Sequence, residues 1–382
     1  MSRGAFAVAQ APLLPAYARA SVTFERGEGT WLVADDGRRY LDFCAGIAVV
    51  ALGHGHPAPL AAAHRQLDLL WHASNLYWTL PMTELAERLS VRFGGAQAFF
   101  ANSGAEAVEA AIKYARKSTG KRGVVALEGS FHGRTAGALA VTGQPAKRAA
   151  FEPLLPGVAF ASPDDPESLR RAATPDTGLI LLEPVQGEGG VLPLRSAFLH
   201  GAANLAAELG ALLCFDEVQT GVGRTGSFFA WERLGVRPQL VTLAKGLANG
   251  LPIGCLLVAD EAAGAFEPGD HGSTFGGNPV VCAAACAVCD AIDDELLERV
   301  SLRGERLAAG LALLPGVTSV RGAGLLLGAE LERPAGEVVE ECRAGGLLVL
   351  SAGERVLRLT PPLTVAEDEI DLALGVLEGV LS

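Results

Sequence analysis

Positive charge is scarce in this sequence, which has 31 Lys and Arg residues against 43 Asp and Glu residues and a net charge of −12. Basic residues never run together for more than two or three positions. Nucleic acids and anionic membrane surfaces are therefore not expected as partners. An anionic small molecule would need a local group of arginines to overcome the negative field of the whole protein.

Long apolar runs are also missing, although apolar residues make up 49% of the chain. No run approaches the ~18 residues that a membrane-spanning helix needs. Near the N-terminus, Gln10, Pro12 and Pro15 interrupt the apolar stretch 5–9 too early for the core of a signal peptide. We therefore expect a globular protein of the cytoplasm, and its length favours about two domains.

Candidate metal ligands are few and poorly grouped. Cys282, Cys286 and Cys289 fall on one face of a helix and could form a metal or redox cluster, but they lie among alanines and are better interpreted as small core residues. His54 and His56 have no third ligand nearby and indicate a turn before a helix. We expect no metal, and free thiols fit a reducing compartment.

Two charged residues each end an apolar run: Asp216 follows 211–215, and Lys245 follows 240–244. Charged side chains are seldom fully buried without a partner, so both need one. A pyridoxal phosphate site would use both, because its lysine joins the aldehyde and its carboxylate keeps the pyridine nitrogen protonated. Val218 could then pack on the ring and Gln219 could lie near its phenolic oxygen. The alternative is that both residues simply end strands in solvent.

The same region contains a G-x-G-x-x-G sequence at Gly221, Gly223 and Gly226, which leaves a nicotinamide oxidoreductase as an alternative. In that class the glycines directly follow the first strand, and an acid that binds ribose lies about 20 residues further on. Here five residues separate Phe215 from Gly221, and residues 236–250 contain no acid. We interpret these glycines as a turn.

Two further segments bear on the fold. Residues 103–106 (SGAE) form a capping box that opens a predicted helix over 107–117, which Gly120 can end. The N-terminus of that helix could bind a phosphate, or it could be no more than a helix start. Residues 159–169, around the sequence PDDP, are predicted to form a surface loop.

Six sequence blocks occur in an order that resembles the class III, or ornithine-type, aminotransferases of pyridoxal phosphate fold type I. They are GIAV with LGHGHP, NSGAEAVEAAIK, FHGRT, EPVQGEGG, FDEVQTGVGRTG with LAKGLANGLPIG, and GSTFGGNP. The resemblance extends from about Tyr17 to the last helix. It implies an α/β protein whose large domain (51–292) has a mostly parallel seven-stranded sheet flanked by helices. Residues 1–50 and 293–382 would together form a smaller α/β domain.

The resemblance also assigns site residues. The catalytic residues would be Lys245 and Asp216, and the cofactor would be pyridoxal 5′-phosphate. The residues that bind it would be Ser103, Gly104, Ala105, Phe131, His132, Asp216, Val218, Gln219, Lys245 and Thr274. Phe131 and Val218 would cover the two faces of the ring, and Thr274 would reach the phosphate in the partner subunit, which implies a homodimer with shared active sites.

The substrate residues implied in the same way are Arg134, Glu188, Arg358 and Ser273. Arg134 and Arg358 would bind carboxylates, and Glu188 would pair with Arg358 until a dicarboxylate arrives. Two acids as close as Glu183 and Glu188 could also form a general acid and base pair. The family uses the lysine for proton transfer, so we expect a structural role for Glu183.

The expected reaction moves the δ-amino group of an acylated ornithine, N2-acetylornithine first, to 2-oxoglutarate, which becomes glutamate, as in arginine biosynthesis. Ile47 stands where enzymes of free ornithine have a tyrosine, which argues against unblocked ornithine. Residues 78–82 (WTLPM) depart from the family's YTEPQ, so finer substrate contacts are not carried over. Succinylornithine, 4-aminobutyrate and other terminal amines remain alternative donors, and a silent cofactor-binding protein remains an alternative function.

Overall fold

The structure is a computed structural model that describes residues 12–382, so the apolar stretch 5–9 lies outside the described residues. Its centre is a seven-stranded sheet with six parallel strands and one antiparallel strand. The strands, in spatial order, are Ala96–Ala101, Gly254–Ala259, Leu240–Leu243, Leu212–Asp216, Thr177–Leu182, Gly123–Leu127 and Val158–Ala161. Gly254–Ala259 is the antiparallel one. The predicted α/β class and mostly parallel seven-stranded sheet are confirmed.

Helices cover both faces of the sheet, which explains why its inner strands are buried and mostly apolar. In Thr177–Leu182 all six residues are buried. Leu181 packs in the cluster that contains Ile112 of one helix, whereas Ile180 packs with Leu199 of another. The helices between residues 57 and 291 are Pro57–Leu67, Leu80–Phe93, Gly104–Thr119, Ala136–Ala140, Pro145–Arg148, Pro166–Ala172, Ser196–Leu209, Trp231–Leu234 and Pro279–Ala291.

The prediction of a surface loop over 159–169 is wrong. The structure has a strand at Val158–Ala161, paired in parallel with Gly123–Leu127, and a helix at Pro166–Ala172. This strand lies at the edge of the sheet and only its last residue is buried, so it lacks the long apolar run of the inner strands. The helix begins where the Asp165 carboxylate accepts the Ser168 N–H at 3.0 Å, so the PDDP sequence is a helix start as well as a turn.

Two smaller four-stranded sheets complete the fold. One contains Phe24–Glu28, Trp31–Ala34 and Arg39–Asp42, and its last strand pairs in parallel with Leu347–Leu348. The other contains Val317–Ala323, Leu326–Leu331, Val356–Leu359 and Leu350–Ser351, in that order. The accompanying helices are Asp294–Leu311, Ala335–Ala344 and Glu367–Leu381, a short helical turn spans Ala45–Ala48, and Val185–Gln186 pairs with Leu192–Pro193.

The cysteine cluster behaves as a piece of hydrophobic core. Cys282, Cys286 and Cys289 lie buried on the helix Pro279–Ala291, and their thiols are free. Burial raises the pKa of Cys282 and Cys289 to about 12 and that of Cys286 to about 11, which makes these thiols poor metal ligands. Within residues 12–382 no group of three potential ligands could hold a metal ion. None of the helices in that range has both the length and the apolar character needed to cross a membrane.

Candidate active site

A cavity of about 430 Å³ lies beyond the carboxyl ends of the parallel strands, where ligands of such sheets bind. Most of its walls come from the short segments that follow five of these strands. The lining residues are Val49, Asn102, Ser103, Gly104, Ala105, Phe131, His132, Gly133, Arg134, Glu183, Asp216, Val218, Gln219, Ala244, Lys245, Gly250, Leu251, Pro252 and Ile253. The fold therefore brings together ten of the predicted site residues, and Thr274, Ser273, Glu188 and Arg358 lie outside this lining.

Lys245 enters the cavity directly after the strand Leu240–Leu243. Its backbone has a φ of 44°, in the left-handed region that an L-residue adopts at some cost in energy. Burial, together with the positive charge of Arg358, lowers the pKa of its amine to about 8. Near physiological pH, Lys245 therefore has a much larger neutral and nucleophilic fraction than an ordinary lysine.

Asp216 is the most heavily bonded acid of the cavity, and its side chain is buried. Its Oδ1 accepts the Thr242 hydroxyl at 2.9 Å and the Val218 N–H at 3.1 Å. Its Oδ2 lies 2.7 Å from Nδ1 of His132. These contacts fix the carboxylate in direction, as a partner for a cationic ring nitrogen requires.

His132 supports Asp216 from within the protein. Burial lowers the pKa of its imidazole, but the hydrogen bond and the charge of Asp216 outweigh burial and raise that pKa above its ordinary value. Its Nε2 is buried and has no hydrogen-bond partner among residues 12–382. An unpaired polar atom at the wall of a cavity indicates a surface prepared for a polar ligand.

The helix Gly104–Thr119 points its N-terminus into the cavity. Ser103 caps it, since its hydroxyl accepts the Glu106 N–H at 3.2 Å. The predicted capping box is only half present, because the Glu106 carboxylate accepts the N–H of Asn102 at 2.7 Å instead of that of Ser103, and the helix begins three residues earlier than predicted. A methyl group on Gly104 would lie 2.9 Å from the Val218 side chain, so only glycine leaves this space open.

Phe131 and Arg134 line the cavity together with Val218. The Phe131 N–H donates to the Glu183 carboxylate at 2.9 Å, which fixes the start of this segment. The Arg134 guanidinium carbon lies 5.7 Å from the Phe131 ring centroid. Arg134 itself is exposed, so its charged end is free to receive an anion from solution.

Arg358 and Glu188 form an ion pair beside the cavity. Arg358 is buried on the strand Val356–Leu359 and also donates to the Gly187 carbonyl at 3.0 Å. Burial raises the pKa of Glu188, but Arg358 outweighs that effect and the pKa is lowered overall. Arg358 Nε has no partner among the described residues, so the guanidinium has unused donor capacity.

Thr274 and Ser273 do not line the cavity of the single chain. Thr274 is exposed. The Ser273 hydroxyl accepts the Asn102 amide and the Gly276 N–H, both at 3.1 Å, so it supports a cavity residue from behind.

Sequence reasoning missed the place of Glu183 and Asn102 in the cavity wall. Glu183 is buried, accepts the N–H groups of Phe131 and Gly187, and its pKa is raised to about 7 by burial. Like Asp216, it follows an apolar strand, so the pattern that found one acid could have found the other. Asn102 carries no comparable signal, because a polar residue before a helix is commonplace.

Taken together, the donors fit a phosphorylated pyridine aldehyde. The unpaired N–H groups of the helix at Gly104 and Ala105 suit a phosphate, the Asp216 carboxylate suits a protonated ring nitrogen, and the Lys245 amine suits an aldehyde. Phe131 and Val218 supply apolar surface between these polar groups.

Comparisons with known proteins point the same way. A family model described as Aminotransferase class-III matches residues 15–381. A protein of Gloeobacter violaceus named acetylornithine aminotransferase is 48% identical, covering 96% of this chain and 94% of its own. One of the same name from Archaeoglobus fulgidus is 44% identical, covering 96% and 97%.

Solved structures show the same likeness. The N-acetylornithine aminotransferase of Stenotrophomonas maltophilia has a TM-score of 0.84 at 36% identity, covering 96% of both chains. An ornithine aminotransferase of Toxoplasma gondii has a TM-score of 0.93 at 30% identity, covering 98% of this chain and 93% of its own.

Proposed function

The chain belongs to the class-III aminotransferases, which use pyridoxal phosphate, and on that premise we propose that it transfers the δ-amino group of N2-acetylornithine to 2-oxoglutarate. The products are N-acetylglutamate 5-semialdehyde and glutamate, and the reaction belongs to arginine biosynthesis. The convergence of Lys245 and Asp216 in one cavity, beside a helix N-terminus, is the observation that carries this function. Relatives of 44–48% identity named acetylornithine aminotransferase support the donor.

The residues that would hold the cofactor are those that converge at the inner end of the cavity. Ser103, Gly104 and Ala105 would take the phosphate, Asp216 the ring nitrogen and Lys245 the aldehyde carbon. Phe131 and Val218 would cover the ring faces, with His132 behind Asp216 and Gln219 at the ring edge. When bound, the cofactor supplies an electron sink that stabilises negative charge at the substrate carbon.

Lys245 would move the proton. Because its pKa is lowered to about 8, the amine can take a proton from the substrate carbon that bears the amino group and can return one in the second half-reaction. Asp216 holds its position through Thr242 and His132.

Arg134 and Arg358 would bind the substrate carboxylates. With the donor bound, Glu188 neutralises Arg358, as it does in this structure. A dicarboxylic acceptor offers a second carboxylate, which would replace Glu188 on Arg358. Glu183 would support the Phe131 segment, through the N–H group that it accepts.

The active unit would be a homodimer. Leu76 and Trp78 are 84% and 86% exposed, which is unusual for large apolar side chains. The Asn75 amide donates to the Ser273 carbonyl at 2.9 Å, so this apolar segment lies beside the loop of Thr274. A second copy of the chain that covers the segment would bring Thr274 towards the partner's phosphate site. The molar mass in solution tests the dimer, and restored activity on mixing inactive Lys245→Ala and Thr274→Ala chains tests the shared site.

The division into domains follows the same family. The smaller domain would consist of residues 1–50 and 293–382, which is supported by the pairing of Arg39–Asp42 with Leu347–Leu348 and by the Thr360 N–H that donates to the Phe43 carbonyl at 2.7 Å. Seven free cysteines support a reducing location such as the cytoplasm.

Absorbance of the purified protein tests the function directly. Addition of N2-acetylornithine without a keto acid should convert the visible band of the bound cofactor to its aminated form, and 2-oxoglutarate should restore the band. A band that ignores N2-acetylornithine but responds to succinylornithine or 4-aminobutyrate would reassign the donor. Absence of any band after incubation with the cofactor would refute the proposal.

A further inference from the structure

Two cationic side chains contact one aromatic ring at the cavity wall. The Lys147 Nζ lies 4.8 Å from the centroid of Phe131, and the Arg134 guanidinium carbon lies 5.7 Å from the same centroid. Phe131 and Arg134 line the cavity, and Lys147 is half-buried beside them. Lys147 therefore places a second positive charge at the end of the cavity where Arg134 stands.

The backbone holds Lys147 in this place. Its short helix, Pro145–Arg148, follows Gln144, whose amide donates to the Gly129 carbonyl at 3.1 Å. The Gly129 N–H donates to the Gly143 carbonyl at 2.8 Å, and the Gly143 N–H donates to the Ser130 carbonyl at 3.0 Å. These bonds tie the segment before Lys147 to the segment before Phe131. The backbone therefore holds Lys147 close to the ring.

Neither cation has an acidic partner. Among the ion pairs formed by residues 12–382, Glu188 pairs with Arg358, and none involves Arg134 or Lys147. Partial burial lowers the pKa of Lys147, and the charges of Arg134 and Arg358 add to that lowering, while Glu188 and Glu183 oppose it. Two cations that have no acidic ion-pair partner among these residues, at one wall of the cavity, are both available to an anionic ligand.

We propose that Lys147 determines substrate specificity: together with Arg134 it binds the substrate carboxylate at the end of the cavity that Arg134 lines, which we call the outer end. The ligand class is therefore amine donors and acceptors that carry a carboxylate distant from the reacting carbon. This inference rests on the proposed function, since it adds a residue to its substrate site. Because both cations contact the ring of Phe131, they would hold that carboxylate in a fixed position.

The test compares three variants in the holoenzyme. Lys147→Met removes the charge but keeps an apolar chain over Phe131, and Lys147→Arg keeps the charge. Arg148→Gln is the matched control, because Arg148 is the next residue of the same helix but lies 4.3 Å from the Phe160 ring instead. The substrates are N2-acetylornithine and a diamine without a carboxylate, 1,4-diaminobutane. Calorimetry with glutarate, an unreactive dicarboxylate, measures binding without turnover.

Lys147→Met should raise KM for N2-acetylornithine and Kd for glutarate about tenfold, the loss typical of one charge-assisted hydrogen bond. The kcat and the efficiency with 1,4-diaminobutane should stay unchanged, Lys147→Arg should restore most of the binding, and Arg148→Gln should behave as the wild type. An equal loss with the diamine would show that Lys147 only covers Phe131 and would overturn the proposal. So would unchanged constants throughout.

The two proposals fail in different ways. If N2-acetylornithine is not turned over, the proposed donor is wrong, but glutarate binding still decides the role of Lys147. If glutarate binds wild type and Lys147→Met equally while N2-acetylornithine is turned over, the function stands and the role of Lys147 falls.

Discussion

The inner and outer ends of the cavity differ in whether their charged side chains have partners within the protein. At the inner end, Asp216 accepts hydrogen bonds from Thr242 and Val218 and lies 2.7 Å from His132, so the protein itself fixes the position of this acid. At the outer end, Arg134 and the neighbouring Lys147 form no ion pair with an acid of residues 12–382. The difference indicates that the inner end is organised for a resident cofactor and the outer end for anions that come and go.

The largest effect should come from the inner end, at Lys245. Lys245→Ala removes the only lysine among the described residues that line the cavity, and kcat should fall about 10⁴-fold because proton transfer loses its positioned base. Steady-state turnover at saturating cofactor measures the loss. Lys117→Ala is the control, since Lys117 pairs with Asp270 and Glu267 at the surface. Full turnover of Lys245→Ala would contradict the assigned role.

Asp216→Asn tests whether charge at the inner end matters beyond shape. Asparagine can still accept from Thr242 but cannot balance a protonated ring nitrogen, so kcat should fall by about 10²- to 10³-fold. Asp290→Asn, which alters an ion pair with Arg88 at the surface, should leave kcat unchanged. If both variants keep the wild-type kcat, the inner end does not act through the charge of Asp216.

Glu188→Gln removes the acid that forms an ion pair with Arg358. Arg358 would then favour dicarboxylates at all times, and the ratio of kcat/KM between 2-oxoglutarate and N2-acetylornithine should rise on the order of 30-fold, the size of a buried charge-pair coupling. Separate kinetics with each substrate varied give the ratio. An unchanged ratio would mean that Glu188 does not alternate with substrate on Arg358.

The pH dependence of the rate of cofactor uptake tests the lowered pKa of Lys245 without any turnover of substrate. Only the neutral Lys245 amine can join the aldehyde, and its pKa is lowered to about 8. The rate of uptake by cofactor-free protein should therefore rise about tenfold for each pH unit up to about 8 and then level off. Stopped-flow absorbance records the rate. A rate that continues to rise towards the ordinary lysine pKa of 10.5 would show that burial does not shift this group.

The smallest effect is expected where charge lies outside the cavity altogether. Arg170 pairs with Glu208 at 3.0 Å, with both side chains more than half exposed. Arg170→Ala should change neither kcat nor the midpoint of urea unfolding measurably, because water screens such pairs. A clear decrease in kcat or in the unfolding midpoint would mean that this surface ion pair contributes as much to activity or stability as the buried ones do.

Much of the fold was predictable because each inner strand is an apolar run that can be recognised in the sequence. The apolar runs before Glu183, Asp216 and Lys245 identify strands that are buried on both faces. The edge strand Val158–Ala161 was not predicted, because a strand that pairs on one side only and is half exposed does not need a long apolar run. The seven strands expected from the family resemblance were right, although the residues themselves indicated a loop at this place.

The sequence by itself determined which residues stand at the ends of strands and helix starts, because burial forces an apolar pattern and a charge at its end breaks it. Lys245, Asp216 and the segment 103–105 were found in this way. Only the tertiary structure decided which residue contacts which. The Thr242 hydroxyl donates to Asp216, the Phe131 N–H donates to Glu183, and Lys147 contacts the same aromatic ring as Arg134. Those contacts join segments distant in sequence, and no local pattern records which distant side chain will lie within a few ångströms.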